Sequence, residues 1–194
     1  MLSGGKGKRM GKPKEELKYK GVYLIDTIIV RLKNHFDEII IVTNNPKLYQ
    51  NKDRIVLKDV KITTDILKNK GPCVGLYSGL KISKNNDNFL IACDMPYISD
   101  SYLEYLNNTS YKNALVARRG EYFEPFQAMY KKDLLEDLED FIKGERLSLN
   151  SFIKSIDHDI IDDEIIKKFD KNNKLFSNLN DKSQWDSYIG DIYG

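Results

Sequence analysis

Short runs of β-branched and aliphatic residues recur along the chain, separated by stretches with helical character, and this alternation restricts the fold more than any other property. Residues 39–43 (IIIVT), 54–57 (RIVL), 89–93 (FLIAC), 114–117 (ALVA) and 126–130 (FQAMY) each read as a strand. Continuous apolar runs of this length suit parallel strands covered on both faces. Residues 22–34, 74–84, 99–108, 133–143, 147–154 and 181–189 read as helices, and 156–161 as a further strand. Ser99 and Asp100 are candidate N-caps for the third helix. The βαβα rhythm predicts an α/β sandwich. With 194 residues, 41% of them hydrophobic, one domain over 1–194 is expected.

Composition narrows the function classes. A net charge of +2 is too small to suggest a nucleic-acid binder, although Lys6, Lys8, Arg9, Lys12, Lys14, Lys18 and Lys20 face only Glu15 and Glu16 within residues 6–20. Such a local field draws in a polyanion such as a nucleoside triphosphate. The two cysteines, Cys73 and Cys93, have neither metal-ligand nor disulfide-framework spacing and read as reduced thiols of a cytoplasmic protein. With only His35 and His158, a histidine-centred metal site or triad is not expected. No apolar run approaches the roughly 20 residues that span a bilayer, and no secretory signal precedes the strands. No membrane association is therefore expected.

The first fourteen residues, MLSGGKGKRMGKPK, run from an apolar stub into a glycine-rich basic turn. Ser3, Gly4, Gly5 and Gly7 leave the backbone bare enough to wrap a phosphate with amide groups, and Lys6, Lys8, Arg9, Lys12 and Lys14 supply cations. A floppy basic terminus is the plainer reading of such a stretch. The turn has neither the GK[ST] ending of a P-loop nor a GxGxxG pattern. Only Met1 and Leu2 precede it, where a strand of about five or six residues is expected. Either the polypeptide starts earlier or the domain works with a truncated first strand.

Asp94 follows residues 89–93, and a carboxylate at the C-terminal end of a parallel strand faces the ligand crevice. It suits Mg²⁺, which takes carboxylate and phosphate oxygens; a turn aspartate ahead of proline is the alternative. Gly71 and Pro72 read as a turn opening a helix, with Gly75 and Gly79 giving a thin face for a flat ring or for tight helix packing. Thr43 and Asn45 follow one strand and Asp59 follows residues 54–57, so all three are expected on the same edge as Asp94, near a base or ribose. Asn178, Asn180 and Asp181 precede the last helix, where Asn180 or Asp181 is a candidate N-cap.

The order of these segments is more specific than any one of them. Leu2, Ser3, Gly4 and Gly5 with Arg9, Met10, Gly11 and Lys14 resemble the signature L-[AS]-G-G-x3-R-M-G-x-D-K of the molybdenum cofactor guanylyltransferase family. Asp59, the Gly71-Pro72 pair, Cys93-Asp94-Met95-Pro96, Glu124-Pro125 and Asn178-Leu179-Asn180 agree with it, so the resemblance spans nearly the whole chain. It implies a Rossmann-like nucleotidyltransferase with a mostly parallel sheet, carrying GMP from Mg-GTP to the phosphate of molybdopterin and releasing pyrophosphate. By position, Leu2, Ser3 and Gly4 would touch the nucleotide through their backbone, Lys14 would contact phosphate, Asp59 the nucleoside and Asp94 Mg²⁺, with Asn178 and Asn180 on the pterin side. Lys14 and Arg9 would neutralise the leaving pyrophosphate, oriented by the Gly4 and Gly5 amides. GTP and the molybdopterin cofactor are the implied partners, with cofactor-delivery or acceptor molybdoenzymes beyond them. Two departures stand out: Pro13 replaces the family aspartate ahead of the lysine, and Thr43 stands where some members carry asparagine. A cytidylyltransferase and a nucleotide-binding protein without turnover are the rival expectations.

Overall fold

A computed structural model describes residues 1–4, 13–50, 54–67, 71–144 and 147–193. Strands β1 (Leu2–Ser3), β4 (Ile40–Thr43) and β5 (Lys61–Thr63) pair in parallel in the order β1-β4-β5. A second group orders β6 (Asp87–Leu90), β8 (Tyr122–Lys131), β7 (Ala114–Arg119) and β9 (Asp159–Ile161). A parallel bridge between Leu2 and Ala92 joins the two groups, with the Leu2 amide donating to Ile91 O at 2.8 Å and the Cys93 amide to Leu2 O at 2.9 Å. The combined order is β5-β4-β1-β6-β8-β7-β9, parallel except for β8, which runs antiparallel to both its neighbours.

Helices cover both faces. On one, α1 (Leu24–Leu32), α3 (Asp100–Asn108) and α7 (Lys182–Tyr193), with residues of the short α6 (Asp163–Ile166), border an apolar cluster that includes Ile28, Ile41, Ile91 and Leu103. On the other, α2 (Pro72–Ile82), α4 (Leu135–Phe141) and α5 (Leu149–Ile153) pack with Leu80, Leu90, Tyr130 and Phe152. This is the expected three-layer Rossmann-like sandwich, and its first strand is the expected two-residue stub. No helix among the described residues is long and apolar enough to cross a membrane.

Local chemistry sets the element ends. The hairpin of β2 (Lys18–Tyr19) and β3 (Val22–Tyr23) turns at Lys20 and Gly21, φ 47° and 85°. Two successive left-handed residues make the turn that suits the strand twist. α2 begins at Pro72 behind Gly71, φ 92°, and proline at the first helical position loses only an amide that has no partner within the helix. α3 is capped by Ser99, whose hydroxyl accepts the Tyr102 amide at 3.4 Å.

Two elements differ from expectation. Residues 54–57 contain no strand: Ile55–Leu57 is a single 3₁₀ turn, and the strand is β5, four residues further on. Val56 and Leu57 lean on the core beside α1, so their apolar character serves a turn rather than a ladder, an ambiguity inherent in short apolar runs. The strand expected at 126–130 is the ten-residue β8, antiparallel because Gly120 and Glu121 close a tight hairpin from β7, with Gly120 at φ 59°.

Candidate active site

The C-terminal ends of the parallel strands converge where the chain leaves β1 for β4 on one side and β6 on the other, the crevice in which open α/β sheets bind ligands. Ser3 and Gly4 leave β1, Thr43 ends β4, and Asp94 follows the bridge at Ala92. The Cys93 thiol lies in hydrogen-bond contact with the Gly4 amide and the Ser3 hydroxyl. Burial pushes that thiol up to about 12, so it is an uncharged packing element beside Asp94.

Lys14 opens a 3₁₀ turn, Lys14–Glu16, and returns to this crevice. Its Nζ donates to Asp94 Oδ2 and, at 2.6 Å, to Asn180 Oδ1. The Leu179 amide donates to Asp94 O at 2.8 Å, which pins residues 178–180 beside the carboxylate. Asp181 is the residue that caps α7, accepting the Gln184 amide at 2.9 Å, and the side chain of Asn180 is thereby left for Lys14. Side-chain exposures of 16% for Lys14 and 11% for Asp94 give a sheltered ion pair that still opens to the crevice.

The structure thus gathers Ser3, Gly4, Lys14, Asp94 and Asn180. Leu2 lies one residue behind on β1, with its side chain against α2. Asn178 is exposed next to them. Gly5 and Arg9 lie outside the described residues. Gly75 serves packing: a Cβ there would meet both Leu2 methyls at 3.0 Å. Thr43 reaches the expected edge but is buried, with its hydroxyl donating to Glu15 at 3.3 Å and accepting the Asn45 amide at 3.0 Å. It therefore shapes the loop and has no hydroxyl to offer a base. Asn45 likewise turns its side chain to Glu15.

Asp59 is misplaced by the sequence reading. It is exposed at φ 65° and precedes β5, which runs parallel to β4, so it lies at the opposite edge of the sheet from Asp94. The carboxylate at the correct edge is Asp65, two residues past β5, half-buried and accepting from Asn44 Nδ2 at 3.1 Å. Desolvation raises its pKa. Its oxygen comes within 3.5 Å of the position of a Gly75 Cβ, so it overlooks the start of α2. The signal in the sequence was the strand-like KIT directly ahead of it.

A second residue that sequence reasoning missed is Glu15, 7% exposed. Its carboxylate accepts from Ser3 Oγ at 3.2 Å and from Thr43 Oγ1, while Ser3 Oγ also lies 2.5 Å from Tyr49 Oη. One buried acid therefore ties the ends of β1 and β4 beneath the crevice. Burial raises its pKa against the opposing pull of Asn45, Ser3 and Thr43.

Comparison with known proteins gives the family and supports the fold. The sequence profile described as the MobA-like NTP transferase domain matches residues 1–160. The chain is 33% identical to a protein of Peptoclostridium acidaminophilum named "Probable molybdenum cofactor guanylyltransferase", over 97% of this chain and 86% of that one. It is 32% identical to the "Molybdenum cofactor guanylyltransferase" of Syntrophotalea carbinolica, over 97% and 88%. In three dimensions it is similar to molybdopterin-guanine dinucleotide biosynthesis protein A from Archaeoglobus fulgidus, with a TM-score of 0.77, 23% identity, and 96% and 93% of the two chains covered. At that identity the likeness is one of fold.

Proposed function

Because this chain belongs to the MobA-like NTP transferase family, we propose that it is a molybdenum cofactor guanylyltransferase, carrying GMP from GTP to the phosphate of molybdopterin that bears molybdenum. An oxygen of the pterin phosphate attacks the α-phosphorus of GTP. The bond from that phosphorus to the α–β bridging oxygen breaks, and pyrophosphate leaves with the electron pair. The acceptor is already an anion, so no side chain need act as a base, and positioning with charge neutralisation dominates.

The observation that carries the reading is the convergence of Lys14, Asp94 and Asn180 next to the Gly4 amide. Lys14 is placed to exchange its carboxylate partner for phosphate oxygens. Asp65 and the N-terminal turn of α2 flank the room beyond β1, where a nucleoside would lie.

Asp94 fits Mg²⁺: it is a single sheltered carboxylate with the Asn180 amide oxygen nearby, and this ion characteristically takes one or two carboxylates plus substrate phosphates. Bound there, Mg²⁺ would supply charge neutralisation on the triphosphate. Ordering of residues 178–180 by the Leu179 amide leaves Asn178 exposed toward an acceptor.

The test is pyrophosphate release with GTP and molybdate-loaded molybdopterin. Lys14→Ala and Asp94→Ala are each expected to lower turnover about 10²–10³-fold, the cost of losing one preorganised charge contact. Near-wild-type rates in both variants would refute the assignment. CTP consumed in preference to GTP would make the enzyme a cytidylyltransferase, and nucleotide binding without pyrophosphate would make it a binding protein.

A further inference from the structure

Strand β8 does not run evenly beside β7. Leu115 pairs with Met129 and Ala117 with Glu124, so the β8 residues 125–128 stand against Val116 alone. Such a bulge breaks the ladder and re-aims a side chain. Gln127 lies within it, in the left-handed region at φ 52°, which residues other than glycine, asparagine, aspartate and histidine rarely adopt. Its side chain is fully buried, with the residue 0% exposed. Its backbone carbonyl is fixed from α3, where the Tyr102 hydroxyl donates to Gln127 O at 3.1 Å.

The side-chain amide reaches two segments that are remote in sequence. Gln127 Nε2 donates to Tyr97 O at 3.2 Å and to Leu175 O. Both partners are carbonyls, so only the NH2 end can face them, and both of its hydrogens are used. Tyr97 stands three residues past Asp94, and Leu175 five residues ahead of Asn180. The Leu175 amide is held in turn by Asp170 Oδ1 at 3.0 Å. Farther on, the Leu179 amide donates to Asp94 O at 2.8 Å. The two loops are thus tied twice, by Gln127 away from Asp94 and by Leu179 beside it. Gln127 Oε1 and Asp170 Oδ2 have no hydrogen-bond partner among the described residues, and they belong to the two side chains that grip Leu175. A left-handed glutamine and orphaned buried oxygens are each unfavourable, and such features persist where a functional site over-determines them.

We propose that Gln127 is a positioning residue: by gripping Tyr97 and Leu175 it holds the loop of Asp94 and the loop of Asn178 and Asn180 as one unit. This role rests on the guanylyltransferase reading above, in which Asp94 takes the metal and residues 178–180 face the acceptor. Gln127 is buried and acts through those loops. Without its two hydrogen bonds the carboxylate and the acceptor side would move independently. The acceptor phosphate would then meet the α-phosphorus in a less uniform geometry, to which the rate is steeply sensitive. The proposed nucleotide contacts come from β1, Lys14 and the start of α2. Among the described residues the Gln127 amide hydrogen-bonds none of these.

The experiment compares wild type with Gln127→Met, which keeps the length of the side chain but loses both donors. Gln127→Gly, which suits φ 52°, carries the same comparison if the methionine variant does not fold. Turnover is read as pyrophosphate release with GTP and molybdate-loaded molybdopterin. Each variant is expected to lower kcat about 10-fold and to raise KM for the pterin about 5-fold, with KM for GTP within about twofold of wild type. A loss of folded enzyme alone would lower kcat and leave both KM values unchanged. Amide exchange gives a readout without turnover. Leu179 is expected to exchange at least about 10-fold faster in the variants, while Phe152 of α5, in the cluster on the far face, keeps its wild-type rate. Equal acceleration at Leu179 and Phe152, unchanged exchange at Leu179, or a lowered kcat with both KM values unchanged would each overturn the proposal. A wild-type chain that releases no pyrophosphate would refute the guanylyltransferase reading, and the exchange comparison decides the grip of Gln127 independently of it.

Discussion

Glu15 shows how one side chain can set both the shape of the crevice and the pH response of the molecule. Its carboxyl titrates from the ordinary 4.5 to a higher value in the folded protein, mainly because burial disfavours the charge. The folded state then holds a proton that the unfolded chain has already released. Stability from this group is fully present below about 4.5 and falls as the pH rises through the folded value. Glu15→Gln keeps an oxygen for the Ser3 and Thr43 hydroxyls but cannot ionise. Its stability relative to wild type is expected to rise between pH 4.5 and 8, measured as urea midpoints across that range. A difference that stays flat with pH would show that Glu15 has an ordinary pKa. Thr43 illustrates the same limit on residue-level reading: its position on the edge was legible, but its engagement with Glu15 and Asn45 depends on neighbours 28 and two residues away.

At the scale of elements, Gly75 sets how closely α2 packs on β1. Gly75 lets the helix rest on Leu2, and a Cβ at that position would press on both methyls at 3.0 Å. Gly75→Ala is expected to cost about 1–3 kcal/mol, the usual range for overpacking, offset in part by the intrinsic helix preference of alanine. Shortening the partner should relieve it: in a double-mutant cycle with Leu2→Ala, the cost of Gly75→Ala should fall by at least half in chemical denaturation. Strict additivity would place the strain elsewhere. The 3₁₀ turn at Ile55–Leu57 is the complementary case. Its apolar residues were visible in sequence, but whether four such residues pair or merely cover a helix depends on what lies beside them. Because Asp59 was assigned from that turn, the error in the element carried through to the site.

For the whole molecule, the sheet divides the core into two clusters, one against α1, α3 and α7 and one against α2, α4 and α5. Leu103 and Leu138 are fully buried in different clusters. Each leucine-to-alanine change is expected to cost about 2–5 kcal/mol, and the double variant should equal their sum within about 0.5 kcal/mol, as for residues that share no partner. Marked non-additivity would mean that strain crosses the sheet. The layered α/β architecture was legible because burial on both faces of a parallel strand leaves an uninterrupted apolar run, and because glycine, proline and serine mark helix starts by local backbone chemistry. Lys14 and Asp94 were legible for the same local reason, one closing a glycine-rich basic turn and the other ending a strand. Their pairing with Asn180, 166 residues from Lys14, the antiparallel course of β8, the burial of Glu15 and the placement of Asp65 rather than Asp59 at the crevice were decided only by the tertiary structure. Each of these depends on which segments become neighbours when the sheet assembles, and a periodicity read along the chain carries no record of that.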